Sequence, residues 1–181
     1  ESFASPTMAR LQAEFAKAFP KASWTSYEAV SDENIYAGIE GVTGNKLQPV
    51  YNYGKASVIL ALDSDFLHME SDNVTASRGF ADGRRMKDEN DTMNRLYVVE
   101  TMFTLTGGMA DHRLRMQSRQ IGAFTVALAK ALGVDTMGIN ADTSVLDEKA
   151  NAWITVVAKD LMNNKSKSLI VAGRRQPAAV H

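Results

Sequence analysis

The stretch Ala56–Leu67, ASVILALDSDFL, constrains this chain more than any other. Val58–Leu62, entered through Ser57, is an uncharged β-branched and aliphatic run that stops abruptly at Asp63, Ser64 and Asp65. A short apolar run closed by turn formers predicts a strand buried on both faces. Strands of that kind belong to parallel sheets, whose crossovers are usually helical. Further strand-like runs stand at Leu96–Glu100 (LYVVE) and Ser168–Ala172 (SLIVA), and His112–Met116 (HRLRM) alternates like a short, half-exposed strand.

Helix-period segments separate these runs. Ser5-Pro6 supplies an N-cap and first-turn pair for a helix over Thr7–Phe19, with Met8, Leu11, Phe15 and Ala18 on one face and Pro20 ending it. Ala22–Tyr27 is a short aromatic and β-branched run. A Ser31-Asp32 cap opens a helix through Ile35 and Ile39 to the Gly41–Gly44 turn, and a short helix is expected near Val74–Ala81. Ser118–Leu132 is the strongest helix, with Ile121, Phe124, Leu128 and Leu132 in one stripe and Gly133 as its stop. Val145–Met162 repeats apolar residues at three and four, Leu105–Asp111 reads as a glycine-containing turn, and a new helix begins after Arg175. Between Asp82 and Arg95, Arg84, Arg85, Lys87 and Arg95 nearly cancel Asp82, Asp88, Glu89 and Asp91, which predicts a solvated loop. The alternation predicts a three-layer α/β/α sandwich with a mainly parallel, Rossmann-like sheet, as one domain over residues 1–181.

Composition narrows the chemistry. The chain has 181 residues and no cysteine, so disulfides, thiolate catalysis, cysteine-held clusters and Cys-type zinc sites are excluded within it. Twenty Lys and Arg against 21 Asp and Glu leave a formal charge of −1, which offers no field to draw in nucleic acid or an anionic membrane. No apolar segment approaches the ~18–20 residues that cross a bilayer, so the expectation is a soluble piece without direct membrane insertion. Its start and finish read as those of an internal fragment of a longer protein.

In such a sheet ligands bind beyond the carboxyl ends of the strands, at Asp63–Phe66, Glu100–Asp111 and Gly173–Arg174. No complete phosphate-cradling glycine motif stands there, and Gly107-Gly108 reads as a tight turn. Asp63 and Asp65, with Glu70 or Asp72, have the composition of a divalent-cation site, with a loop of turn-favouring aspartates as the preferred reading. Glu100 and Asp111 have the composition of an acid/base pair at the sheet edge, with a cap or a hydrogen-bonded turn as the simpler reading. Arg78, Arg84 and Arg85 read as a solvated or subunit-facing basic group, and His68 and His112 as surface or structural residues. No nucleophile–base pair is visible.

The order of the segments resembles the molybdopterin oxidoreductase family. There, a strand of the type A-D-x-I-L-x-x-G-x-N-P contacts a guanine dinucleotide arm, and a later strand reads V-D-P-R-x-T-x-T-A-x-x-A-D. In this chain Ala56–Phe66 stands in place of the first motif. Val99, Thr104, Thr106, Ala110 and Asp111 match the second in register within Val99–Asp111. The departures are Asp63 for the family's Gly, Asp65 for Asn, Phe66 for Pro, and Glu100-Thr101-Met102 for Asp-Pro-Arg. An acidic residue at a glycine position hinders close backbone approach, added carboxylates repel pyrophosphate, and loss of arginine removes a forked partner for phosphate.

Within that family, Val58–Leu67, Arg78–Arg85, Glu100–Gly107 and Ser168–His181 resemble the large iron–sulfur subunit of alternative complex III, a bacterial quinol:electron-acceptor oxidoreductase. That subunit joins a half that is like a molybdopterin enzyme but lacks the metal cofactor to a ferredoxin-like half carrying the clusters. The resemblance implies a non-catalytic domain with no cofactor in this fragment, and iron–sulfur clusters elsewhere in the parent. Its partners would be the ferredoxin-like half and other subunits of a respiratory complex, the parent being membrane-associated on the periplasmic side after twin-arginine export. Asp63, Ser64, Asp65, Glu100, Thr101, Thr104, Thr106 and Asp111 would be degenerate cofactor positions. Under the alternative, an active molybdopterin enzyme, Asp63, Ser64, Glu100 and Thr101 would bind one guanine dinucleotide arm of molybdopterin guanine dinucleotide, with the metal ligand elsewhere.

Overall fold

The computed structural model describes residues 5–25 and 27–181; Ser26, inside the aromatic run at 22–27, lies outside the described residues. The chain forms two compact units, residues 1–31 and 32–181. In the first, helix α1 (Pro6–Ala18) begins at Ser5, whose hydroxyl accepts the Met8 N–H, and ends at Phe19. Its Phe15 ring meets Phe19 at 5.0 Å and Trp24 at 5.7 Å.

The second unit carries the sheet. In chain order it contains α2 (Glu33–Thr43), β1 (Val58–Leu62), α3 (Asn73–Asp82), β2 (Arg95–Glu100), α4 (Leu105–Gly108), β3 (His112–Arg115), α5 (Ser118–Ala131), α6 (Glu148–Asn163) and β4 (Ser168–Ala172). The strands are all parallel, in the order β3-β2-β1-β4, with Leu60 opposite Tyr97 on one side and Ile170 on the other. The expected α/β sandwich is therefore present. All five β1 residues are buried, as a strand flanked by neighbours and covered on both faces must be.

Period-two alternation divides β1 between two cores. Val58, Leu60 and Leu62 join Tyr97, Val99 and Leu114 beneath α5 and α6, which contribute Ile121, Phe124, Leu128, Ile154, Val157 and Leu161. Ile59 and Ala61 join Leu96, Val98 and Val171 on the opposite face, where Phe66 stacks on Tyr53 at 4.4 Å and meets Phe80 of α3. The chain winds from β1 outward to β3 and then returns across the sheet to β4. The topological switch therefore lies between β1 and β4.

Three local expectations are corrected. Leu105–Asp111 is not simply a turn, because Leu105–Gly108 forms a short helix capped by the Thr104 hydroxyl, which accepts the Gly107 N–H at 3.0 Å. The helix expected from Val145 starts at Glu148, because the Asp147 carboxylate accepts the Ala150 N–H and fixes the first turn there; Thr143–Val145 is a separate 3₁₀ turn. After Arg175 the chain forms only the 3₁₀ turn Ala178–Val180.

Candidate functional site

The carboxyl edge of the sheet gathers most of the anticipated residues. β1 ends at Asp63, whose backbone adopts the left-handed conformation at φ 52°. That conformation favours glycine and is tolerated by aspartate. The position thus keeps a glycine-like backbone while carrying a carboxylate. Its Oδ1 accepts the Thr101 N–H at 3.3 Å and its Oδ2 accepts the Gln176 side-chain amide at 2.9 Å.

Gln176 is buried and closes the gap between the β1 and β4 ends, where the Gly173 N–H donates to the Leu62 carbonyl at 2.9 Å. The two chain segments approach so closely that a Cβ on Gly173 would overlap the Asp63 carbonyl oxygen. Ser64, the next residue of this loop, is buried. The switch point is filled by the chain itself.

Asp65 and Glu100 converge on α4. Asp65 is 7% exposed, and its Oδ1 accepts both the Thr106 N–H at 3.0 Å and the Thr106 hydroxyl at 2.8 Å. That hydroxyl in turn accepts the Leu67 N–H at 3.1 Å. Glu100 is 1% exposed; it accepts the Thr104 hydroxyl at 2.6 Å and the Thr104 N–H at 3.4 Å, and pairs with the Arg113 guanidinium. A helix start normally leaves orphan N–H groups ready for an anion. Here those at Thr104, Thr106 and Gly107 already have acceptors within the chain. Gly107 lies against Glu100 so tightly that a Cβ would overlap the carboxylate.

Asp111 does not belong to this edge, which corrects its expected place among the residues beyond the strand ends. Its N–H donates to the Leu96 carbonyl and its carboxylate accepts the Leu96 N–H at 2.8 Å, at the start of β2. The reason is topological: β3 runs parallel to β2, so the connection through α4 must travel back to the amino edge before β3 can begin. There Asp111 forms a forked ion pair with Arg84. Burial raises the Asp111 carboxyl, but Arg84 and the Leu96 N–H outweigh it and hold the pKa below the ordinary value. Glu100 and Asp111 are therefore at opposite ends of the sheet and form no acid/base pair.

A further cluster forms where β4 ends. The Arg174 side chain lies between Asp32, at 3.6 Å, and Glu70, at 3.5 Å, and its backbone N–H donates to Glu70 at 3.2 Å. Burial pushes the Glu70 carboxyl above its usual pKa, with Arg174 offsetting part of the rise. Of the residues suggested for a cation, Asp63, Asp65 and Glu70 are thus engaged by separate donors. Among the described residues no three potential metal ligands converge.

Of the partners that organise this edge, Arg113 and Gln176 are not singled out by the sequence reading. Arg113 had a legible signal: in the alternating HRLR strand it falls on the face shared with Glu100 of the neighbouring strand. Gln176 had none, since an isolated Gln after a strand has no distinguishing pattern. Thr101 is exposed and contributes only its backbone N–H. The arrangement holds loops and a helix start together; it presents neither an aligned nucleophile and base nor an open set of anion donors. Where a guanine dinucleotide arm would lie in such a fold, Asp63, Asp65 and Glu100 accept hydrogen bonds from Thr101, Thr106 and Thr104 of the chain itself. No family model and no curated protein matches this chain.

Proposed function

We propose that this chain is a non-catalytic scaffold domain like that of molybdopterin oxidoreductases, belonging to the iron–sulfur subunit of a membrane-associated respiratory complex that oxidises quinol. Its work would be structural, holding cluster-bearing and haem-bearing partners in place, with the clusters themselves in the ferredoxin-like half of the parent and the parent on the periplasmic side. What supports this reading is one observation: at the carboxyl edge, where an anionic cofactor arm would lie in such a fold, Asp65 and Glu100 occupy the N–H groups of α4 and Gln176 bridges to Asp63. Internal carboxylates in the position of a ligand repel a pyrophosphate by charge and remove its donors.

Among the described residues no helix is long and apolar enough to cross a membrane; in the proposed reading the partner subunits attach the parent. The test is calorimetric titration of the protein with guanosine diphosphate and with molybdopterin guanine dinucleotide, backed by thermal shift. The scaffold reading expects no heat and no stabilisation at millimolar ligand. Micromolar binding lost in Glu100→Gln or Ser64→Ala would overturn it and make this edge half of a working cofactor site.

A further inference from the structure

β3 is the outermost strand on its side of the sheet, and no strand among the described residues pairs with its outer edge. The Met116 N–H faces inward, to the Glu100 carbonyl, so ladder alternation keeps the peptide groups of His112 and Leu114 on β2 and turns those of Arg113 and Arg115 outward. An open strand edge is a template for another strand.

Two concavities, each of about 220 Å³, open along this edge and share Lys149 on their rims. One is apolar and lined by Tyr97, His112, Trp153 and Val156; His112 stacks on Tyr97 at 4.8 Å and Trp153 meets Tyr97 edge-on at 5.6 Å. The other has a floor of Leu114, Leu146 and Ala150 beneath Arg115, Gln120 and Asp147. His112 and Leu114 are two residues apart, so the concavities follow the repeat of side chains on one face of a strand. Charge favours an acidic occupant: Arg115 and Lys149 are both exposed, and the only carboxylate lining either concavity, Asp147, is engaged by the Ala150 N–H at 2.7 Å. Arginines on an edge strand also guard it against unwanted pairing, but a guard leaves two pockets in strand register unexplained.

We infer that the β3 edge accepts an extended segment of another protein as a fifth strand. The segment places a large apolar side chain against Tyr97 and Trp153, and a carboxylate two residues away between Arg115 and Lys149. This surface lies apart from the Asp65 and Glu100 network, so the inference holds or fails independently of the scaffold reading.

The probe is a fluorescein-labelled heptapeptide, Thr-Glu-Thr-Trp-Thr-Glu-Thr, which puts Glu two residues from Trp in either strand direction. Fluorescence anisotropy should show saturable binding, weakened at least about tenfold by Val156→Glu or Lys149→Glu, the scale of losing one anchor. Both substitutions are at exposed positions, so the fold survives them. Exchanging both Glu for Lys should weaken binding similarly. N-methylating the odd or the even peptide residues should abolish binding in one set and spare it in the other, since only alternate N–H groups of an added strand face its neighbour. Amide hydrogen exchange at Arg113 and Arg115 should slow in the complex. No binding at millimolar peptide, equal affinity for the Glu and Lys peptides, or equal effects of the two N-methylated sets would overturn the inference.

Discussion

The two ends of the sheet use carboxylates in opposite ways. At the carboxyl end, Asp65 and Glu100 are buried and accept the backbone N–H groups of a four-residue helix. At the amino end, Asp111 and Asp160 are partly exposed and pair with Arg84 and Arg95, on the loop after α3 and at the start of β2. A buried carboxylate that satisfies orphan N–H groups substitutes for a ligand, and removing it strands several polar groups together. A surface pair fastens one segment to another, and its loss is largely recovered by water. The contrast explains how a fold suited to binding at its carboxyl edge can hold that edge closed.

The contrast can be broken most directly at Gly173. Its Cβ position coincides with the Asp63 carbonyl, and a backbone oxygen cannot swing aside as a flexible side chain would. Gly173→Ala should therefore cost about 3 kcal/mol, the upper range for overpacking, read as a lowered denaturant midpoint. A midpoint equal to that of the parent would mean that the switch point has room to open. Asp65→Ala comes next. It leaves the buried Thr106 N–H without its acceptor and forces its hydroxyl to find another, for a loss of about 2–3 kcal/mol in the same measurement. Asp65→Asn retains one acceptor oxygen and should recover part of that loss.

The two ends should also titrate with opposite sign. Asp111 has a lowered pKa in the fold, so its contribution is fully present above the ordinary aspartate value of about 3.9 and is lost as pH falls through the folded value. Asp111→Asn should cost about 1–2 kcal/mol near neutrality, on the scale of a charge-assisted hydrogen bond, and the deficit should shrink in acid. Glu70 has a raised pKa, so the fold favours its protonated form; that contribution is present below the ordinary glutamate value of about 4.3 and is lost as pH rises through the folded value. Glu70→Gln should therefore gain on the parent as pH rises. Thermal melts of the three proteins between acid and neutral pH would show both trends, and parallel trends for the two variants would refute the contrast.

Much of the fold is legible before any coordinates. Val58–Leu62 and Leu96–Glu100 declare themselves because strands with neighbours on both faces need uninterrupted apolar runs, and Ile121, Phe124 and Leu128 reveal α5 by its stripe. Ser168–Ala172, equally apolar and expected to be buried, is instead an edge strand in which only Val171 is buried and Ile170 is exposed. α4 is hidden for a physical reason. Leu-Thr-Gly-Gly has poor intrinsic helix propensity, and its turn forms because Asp65, 41 residues earlier, and Glu100 satisfy its first N–H groups. The same is true of the site. Composition identifies Asp63, Asp65 and Glu100 as unusual at a carboxyl edge, but whether they face an incoming ligand or the chain's own donors depends on contacts across the sequence. Asp111 is misplaced by reading along the chain alone, since only the parallel pairing of β2 and β3 sends it to the other edge.

The smallest effect belongs to Arg95. Its guanidinium pairs with Asp160 at 2.5 Å, and that carboxylate also accepts the Tyr97 hydroxyl at 2.9 Å and faces the Asn164 amide at 3.3 Å. Arg95 is about half exposed, so Arg95→Ala returns one arm of the pair to water while Tyr97 and Asn164 continue to engage Asp160. The cost should stay below about 1 kcal/mol. Burial first, and then Asp160, hold the Tyr97 phenol above its usual pKa, whereas Arg95 lowers it. Removing Arg95 should therefore raise the Tyr97 value further even as global stability changes little, which absorbance titration of the phenol can follow. A loss approaching that of Asp65→Ala would show that the amino end is as tightly coupled to the core as the carboxyl end, and the distinction between substituting for a ligand and fastening a surface would fail.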